Sequence, residues 1–468
     1  MPKAEAVLKH VLARITPTEK ERRDTSRAIK KIMLATERLI KPMRLGHTLA
    51  GSFLRDTWLV DKLEFDIFIL FPENVSRERL EKAGLDIGKK IVAELKGEYE
   101  IAYAEHPYIR AKVGEYAVDF VPCYDIRNPG RIKSAVDRTP HHNRYILEKL
   151  TKSLSPQVRL LKQFCKGLSV YGSDLRVEGF SGYLTELLII KYKTLKNLML
   201  EASKWEAGEA VIDLEGRYAD KKLDVRGKFP GQPLIVIDPV DKNRNVAASL
   251  SPANFELFKQ SCKSFLRSPS EHCFRPRKAG LSPASLLKKA KKRGTKLISV
   301  TFARPDVVDD ILFPQLKRSA KRVTGMLQER EFRVLGHDVW CDNDECVLFF
   351  ELLVWSLPKT KKITGPPVFS RTHSEQFIRK YQGKSRLWVE GKNWVTEVST
   401  KFESADKFIG HRLKTGAKTL AERGIASYVA KSLSKGFSVV MDGQVIKKAD
   451  RNREFALFLT EYFKKKIL

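Results

Sequence analysis

Two carboxylates stand two residues apart in Leu63-Glu64-Phe65-Asp66-Ile67, and a third lies in Tyr116-Ala117-Val118-Asp119-Phe120-Val121. Both stretches read as apolar β-strands. Side chains alternate faces along a strand, so Glu64 and Asp66 share one face while Phe65 and Ile67 enter a core. Two carboxylates about 7 Å apart repel each other, and a multivalent cation between them removes that penalty. Mg²⁺ suits the role, because it prefers hard oxygen ligands and bridges to phosphate. If the two strands pair, Asp119 joins the other two, and three carboxylates fit a two-metal site for in-line displacement at phosphorus. Spacing alone leaves two other readings open. A carboxylate pair also serves glycosidase acid–base chemistry, and Glu-x-Asp is common on the polar face of an ordinary half-buried strand.

Gly51-Ser52 precedes this strand, with Arg55 and Thr57 close behind. Glycine permits close backbone approach to an anion, and the Ser52 hydroxyl and neighbouring N–H groups can donate to phosphate oxygens. Arg55 adds a charge-assisted donor. The turn is neither a Walker loop nor a dinucleotide fingerprint, and Gly-Ser is also a common plain turn. Trp58 and Leu59 read as core.

The elements that must position these groups follow from periodicity. Apolar residues at helical spacing between Ala4 and Pro42 predict two helices broken at Pro17. GHTLAGSFLRDTWL reads as a glycine-bearing turn running into a short element, LEFDIFILF as a strand, and Ser76 to Glu98 as a helix. Strands are expected near Ile101–Ala104 and Glu115–Val121, with AEHPYIRAKV connecting them. Helices then dominate from His142 to Thr194. Leu234–Ile237 is a short strand, and Ser251-Pro252 caps a further helix. Beyond it, LISVTFARP starts as a strand, Ile311–Leu327 is a helix, and FRVLGHDVWCDNDECVLFFELLVWSLP reads as a hairpin or meander with turn residues at Asp342-Asn343-Asp344. PKTKKITGPP reads as a loop, SEQFIRKYQ as a short helix and LWVEGKNWVTEVS as a hairpin turned at Gly391. The final 68 residues alternate helix-like and strand-like pieces. The expected fold class is α+β and multidomain, with a mixed-sheet domain first.

Composition narrows the partners. The chain has 468 residues, 42% of them hydrophobic and including 25 Phe and 13 Tyr, which supports several folded domains rather than a disordered polycation. Lys and Arg number 87 against 56 Asp and Glu, a net charge of +31 that draws the chain toward a polyanion, nucleic acid first. Residues 259–296 hold 12 basic residues and one acid, and residues 391–468 hold 16 basic against 8 acidic. No run approaches the roughly 20 apolar residues that span a bilayer, and the N-terminal stretch lacks a signal-peptide apolar region. The expectation is a cytoplasmic protein. The six cysteines form no Cys-x-x-Cys pair and read as isolated reduced thiols.

GSFLRDTWLVDKLEFDIFILFP resembles the N-terminal signature of the archaeal-type, class I CCA-adding enzymes, tRNA nucleotidyltransferases of the polymerase-beta-like superfamily. RTPHHNRYIL (138–147), LLKQFCKGLSVYGSDLRVEGFSGYLTELLIIKY (160–192), VIDPVDKNRNVAASL (236–250) and FFELLVWSLPKTKKITGPPVF (349–369) extend the resemblance in one order over most of residues 40–380. The resemblance implies template-independent addition of two CMP and then AMP, from CTP and ATP, to the 3′ end of tRNA, with release of pyrophosphate. It implies Glu64, Asp66 and Asp119 as catalytic metal ligands for two Mg²⁺ ions, with Mn²⁺ as the alternative. Gly51, Ser52, Arg55, His142, Lys162, Tyr171 and Arg244 would hold the nucleotide, Arg244 at the base edge. The copy has Glu64 where most of the wider superfamily has Asp.

Carried over likewise are a catalytic head over 1–145, a helical neck over 146–260, a basic first body segment over 261–310, a tail over 311–385 and a tRNA-binding second body segment over 386–468. Partners would be the acceptor stem and TΨC arm of tRNA, no membrane, and a second copy in a homodimer. Competing readings are a poly(A)-polymerase-like nucleotidyltransferase, an aminoglycoside-type one, and a non-catalytic RNA-binding relative.

Overall fold

Helix α1 (Pro2–Ile15) stops before Pro17. Thr18 opens α2 (Glu19–Ile40) with a capping box, its hydroxyl accepting from the Glu21 N–H while the Glu21 carboxylate accepts from the Thr18 N–H. These helices belong to a computed structural model that describes residues 2–61, 63–103, 105–218, 222–276 and 280–464. Ala104, expected at a strand end, residues 277–279 of the basic stretch and the final four residues lie outside the described residues. The chain divides into two compact units, Met1–Pro276 and Arg277–Lys466.

In the first unit, strands β1 (Gly46–Ala50), β2 (Glu64–Phe71), β3 (Glu98–Tyr103), β4 (Pro107–Val113) and β5 (Tyr116–Tyr124) form one sheet in the order β1-β2-β5-β4-β3. β2 and β5 are parallel and every other pair is antiparallel, so the sheet is mixed, as expected. A parallel neighbour needs a crossover, and α3 (Arg77–Glu94) begins it. The apolar run Ile67–Phe71 follows from burial on both faces. Phe65, Ile67 and Ile69 pack with α2 and α3 on one face, while Phe68, Val121, Cys123 and Tyr108 form a smaller cluster on the other.

AEHPYIRAKV is no mere connection: it holds β4, whose Ile109 and Ala111 are buried between two partner strands while Arg110 and Lys112 face out. Its alternation is short and opens on Pro107, which hides it. The turn read over residues 46–50 is likewise the edge strand β1.

A helical layer follows: α4 (Arg138–Lys149), α5 (Ser155–Gly167), α6 (Gly182–Tyr192) and α7 (Leu195–Ala202). The helical pattern read from 142 to 194 is interrupted after α5, where Tyr171 bridges Phe180. A two-stranded parallel pair, β6 (Ala210–Ile212) and β7 (Leu234–Val236), flanks α8 (Lys222–Lys228). α9 (Pro252–Arg267) starts as expected, with the Ser251 side chain accepting from the Asn254 N–H. Phe164, Phe180, Phe255, Phe258 and Leu187 fill this layer's core, with Val11 and Ile15 of α1 packed in.

The second unit opens with α10 (Pro283–Arg293) and β8 (Lys296–Ala303), followed by α11 (Asp309–Gln328), β9 (Arg333–Cys341) and β10 (Glu345–Val354). Then come β11 (Thr360–Pro367), α12 (Arg371–Tyr381), β12 (Leu387–Glu390) and β13 (Asn393–Ser399), and after them α13 (Ala405–Leu413), α14 (Ala417–Glu422) and α15 (Ser427–Lys435). β14 (Phe437–Met441), α16 (Gly443–Arg451) and α17 (Arg453–Phe463) complete it. The antiparallel sheet β14-β8-β10-β9 carries α11 and α13–α15 on one face and α10, α16 and α17 on the other.

PKTKKITGPP, expected as a loop, supplies β11, an edge of the three-stranded sheet β11-β13-β12. Its prolines sit past the regular pairing, where the register shifts between Thr364 and Pro367, so they break no ladder. Cys341 and Cys346 are free but not isolated: they face each other across β9 and β10 with sulfurs 2.6 Å apart. Part of the basic stretch is structural, since Arg293 is bound to the buried Glu351, which also accepts from Thr295 and Tyr462. Lys288, Lys289, Lys291 and Lys292 stay exposed on α10. Among the described residues no helix is long and apolar enough to cross a membrane.

The approach of α3 to β5 depends on Gly84, where a Cβ would stand 2.5 Å from the Pro122 side chain. Gly84→Ala is expected to destabilise the first unit by about 1–3 kcal/mol, the typical range for overpacking. Urea unfolding reads this, and an unchanged midpoint would mean that the helix sits less tightly on the sheet.

Candidate active site

One row of residues runs across the first sheet. Ala50 of β1 pairs with Asp66 of β2, Asp66 with Asp119 of β5, Asp119 with Arg110 of β4, and Arg110 with Glu100 of β3. Residues in register on adjacent strands share a face, so Asp66 and Asp119 lie side by side, with Glu64 on the same face two residues before Asp66. The expected meeting of the three carboxylates on one face thus follows from parallel pairing of β2 with β5. The neighbouring Tyr108 feels both acids: burial first, then the Asp119 charge and, more weakly, that of Asp66 push its hydroxyl up to about 12, against the Arg110 charge.

Arg110 grips Asp119 with both arms, Nε to Oδ1 at 3.1 Å and Nη2 to Oδ2 at 3.2 Å. Asp119 therefore leans toward β4. Among the described residues no three His, Cys, Asp or Glu side chains close around a common point. The donor set nevertheless fits a hard divalent cation, being wholly carboxylate oxygen. Gly51 adds to the fit. It has φ +91°, and a Cβ there would stand 3.2 Å from Asp66 Oδ2, so the backbone of the Gly-Ser turn passes directly against this carboxylate.

Helix α5 pins the segment after that turn, whose Thr57 N–H donates back to the Ser52 carbonyl at 2.9 Å. Arg159, almost fully buried, donates to the Asp56 carbonyl at 2.6 Å and the Trp58 carbonyl at 3.1 Å. One turn on, Lys162 Nζ donates to the Thr57 carbonyl and hydroxyl at 3.1 and 3.0 Å. Thr57 Oγ1 in turn donates to Glu186 Oε1 at 2.7 Å. Glu186 is wholly buried on α6, and the same oxygen lies 3.2 Å from Arg55 Nε and 3.8 Å from Lys162 Nζ. Arg55 Nη1 also donates to Asn143 Oδ1 at 2.8 Å. Arg55 and Lys162 thus converge on Glu186 behind the Gly51-Ser52 turn. Tyr171 stands nearby: burial first, then the Glu186 and Glu64 charges, hold its hydroxyl well above the ordinary tyrosine range.

The adjoining end of the site is built on Asp238, which is fully buried. Its Oδ2 meets His142 Nε2 at 2.9 Å and Arg244 Nη1 at 2.8 Å, and its Oδ1 accepts from the Tyr183 hydroxyl and the Val240 N–H. The His142 ring stacks on Tyr183 with centroids 4.1 Å apart. Burial opposes the charge on Asp238, but the bonds from His142, Val240 and Arg244 outweigh it and hold the carboxyl at about 2. Burial pushes the His142 imidazole below its usual value despite Asp238. Arg244 lines a cavity of about 700 Å³ together with Arg138, Phe229, Gln232 and Asn243.

Every expected site residue thus lies in the first unit, in one continuous neighbourhood from Glu64 through Tyr171, Arg55 and His142 to Arg244. Sequence reasoning missed Arg110, Arg159, Glu186, Tyr183 and Asp238. Glu186 had a signal: it is the only acid in the apolar helix GYLTELLIIKY. Arg110 had none once its strand was read as a connection.

Comparison with known proteins bears on the whole chain. Residues 29–142 match the nucleotidyltransferase domain, residues 156–275 the second domain of tRNA nucleotidyltransferase, and residues 293–442 the C-terminal domain of the CCA-adding enzyme. The CCA-adding enzyme of Methanosarcina acetivorans is 34% identical over 459 residues, 97% of each chain. That of Methanocaldococcus jannaschii is 40% identical over 383 residues, 81% of this chain and 84% of its own, and that of Archaeoglobus fulgidus 34% identical over 449 residues, 95% and 96%. A solved structure of the Cid1 poly(U) polymerase bound to MgATP covers 57% of this chain and 97% of its own at 16% identity and TM-score 0.47. The chain belongs to the archaeal-type, class I CCA-adding enzymes, tRNA nucleotidyltransferases of the polymerase-beta-like superfamily.

Proposed function

We propose that this chain completes tRNA by adding two CMP and then one AMP to its 3′ end, with Glu64, Asp66 and Asp119 as the catalytic carboxylates. The observation that carries the reading is the parallel register of Asp66 with Asp119 beside the Gly51-Ser52 turn. The reaction is divalent-metal-dependent nucleotidyl transfer from CTP and ATP. The three carboxylates would hold two Mg²⁺ ions, with Mn²⁺ able to substitute. Bound there, such ions lower the pKa of the attacking hydroxyl and neutralise charge on the leaving pyrophosphate.

The chain's own groups supply the positioning. The RNA 3′ hydroxyl attacks the α-phosphorus in line, and pyrophosphate leaves toward the Gly51-Ser52 turn. There the backbone N–H groups and the Ser52 hydroxyl donate to phosphate oxygens, as anions are held at glycine turns. Arg55 and Lys162 provide positive charge behind the turn, and Tyr171 closes the side nearest Glu64. His142 and Arg244 stand at the base end, where Arg244 offers a planar donor fork.

We further assign the acceptor stem and TΨC arm of tRNA to the second unit. The exposed lysines of α10 suit phosphates of an A-form stem, read by shape rather than by base. The segments 1–145 (head), 146–260 (neck), 261–310 and 386–468 (body) and 311–385 (tail) are the division this reading uses. A homodimer acting in the cytoplasm is the corresponding assembly.

A primer assay tests the function. tRNAs ending at the discriminator base, at C and at CC are offered CTP, ATP or both, with and without Mg²⁺. Addition is expected to stop after CCA and to require the metal. Asp66→Ala is expected to lose incorporation almost completely while tRNA affinity stays within a few fold, and normal CMP incorporation by this variant would remove Asp66 from the site. Unlimited adenylate tails would point to a poly(A)-type activity. For the triphosphate end, Glu186→Gln is expected to raise KM for CTP and ATP alike, by about tenfold, because it loosens Arg55 and Lys162 together. The choice between nucleotides should not change, and unchanged KM values would limit Glu186 to folding.

A further inference from the structure

Asp238 is a buried charge for which the reaction has no direct use. Its two oxygens receive four donors, from His142, Arg244, Tyr183 and the Val240 backbone. Two carboxylate oxygens offer about four lone-pair sites, so the group is saturated and has nothing left for a ligand. Its partners come from three separate parts of the first unit: His142 from α4, Tyr183 from α6, and Arg244 from the loop that Asp238 itself opens. Such a group fixes what it touches.

We propose that Asp238 is a positioning residue for nucleotide selection, clamping one arm of the Arg244 fork so that the remaining donors stand at a fixed place at the base end of the cavity. This rests on the reading that Arg244 meets the base. Arg244 is well placed for such a division, with one arm on a fully buried carboxylate and its side chain 37% exposed along the cavity wall.

The chemistry of the bases gives the clamp its consequence. Cytosine N3 and adenine N1 are hydrogen-bond acceptors. At the same ring positions uracil N3 and guanine N1 each carry a proton. A donor held still therefore pairs with C or A and collides, donor against donor, with U or G. A desolvated donor left unpaired carries a large penalty, and this is what makes hydrogen-bonded sites selective. A guanidinium free to swing would turn aside and escape that penalty. The four flexible torsions of arginine make escape easy unless something holds the fork, and Asp238 does so. His142 takes part in the same lattice: its ring is stacked on Tyr183 and bonded to the oxygen that Arg244 uses. Clamping a donor from behind also explains how a single arginine serves two bases of different size, because it reads one ring nitrogen common in character to both.

The test compares kcat/KM for CTP, ATP, UTP and GTP on tRNA ending at the discriminator base and at CC, for the unaltered enzyme, Asp238→Asn, Arg244→Ala and Arg244→Lys. Asp238→Asn is expected to narrow the preference for CTP over UTP, and for ATP over GTP, by about tenfold. The change should fall mainly on KM, with tRNA affinity kept. Arg244→Lys retains the charge opposite Asp238 but has no fork, and is expected to lose selection while remaining folded. A purely charge-balancing Asp238 would let lysine rescue, so normal selection in Arg244→Lys overturns the proposal even if Asp238→Asn fails to fold. Normal selection in a folded Asp238→Asn, beside lost selection in Arg244→Ala, overturns the clamp while sparing the role of Arg244. Normal selection in Arg244→Ala overturns the underlying assignment of Arg244 to the base.

Discussion

The parallel pairing of β2 with β5 sets two like charges side by side. Adjacent strands lie about 4.8 Å apart, so Asp66 and Asp119 are close neighbours whose like charges repel. Arg110 answers part of the repulsion from the next strand, gripping Asp119. In the proposed reaction divalent cations would answer the rest along the row Ala50–Asp66–Asp119–Arg110.

The other parts of the site are fixed by buried charges rather than by the sheet. A Gly-Ser turn by itself has no defined direction. Here it is tied down by carbonyl groups bonded to Arg159 and Lys162 of α5, and Lys162 is steadied in turn by Thr57 and Glu186. Asp238 does the equivalent work for His142 and Arg244. Both acids are wholly enclosed: Asp238 meets donors at both oxygens and Glu186 at Oε1, while Glu186 Oε2 is buried with no hydrogen-bond partner among the described residues. The helical layer is thus more than a spacer behind the sheet. It holds Arg55, Lys162, His142 and Arg244 in place through Glu186 and Asp238.

Much of this was legible in the residues. Glu64-Phe65-Asp66 announces a strand with two acids on one face because alternation is a local property, and the same holds for Asp119. Thr18 and Ser251 announce helix starts for the same reason. The gaps came where local signals were short or meaning was distant. β4 shows only a brief alternation after a proline, and losing it hid Arg110, whose partner Asp119 lies on another strand. β11 is masked by its own prolines and glycine, which fall where the ladder is already irregular. Glu186 meets Thr57 and Arg55 from positions more than 120 residues away, and Asp238 meets His142 from 96 away. Pairings of that range exist only once the chain is folded, so a single sequence offers their residue types but not their partners.

The most direct test of the paired carboxylates is metal binding itself, free of turnover. Mn²⁺ titrated into the enzyme with CTP, and followed by electron paramagnetic resonance, counts bound ions. The parallel register of Asp66 with Asp119 predicts that Asp119→Asn, folded and still binding tRNA, loses or strongly weakens Mn²⁺ binding. Unchanged stoichiometry and affinity in that variant would contradict the account, because the two acids would then stand together without sharing ions.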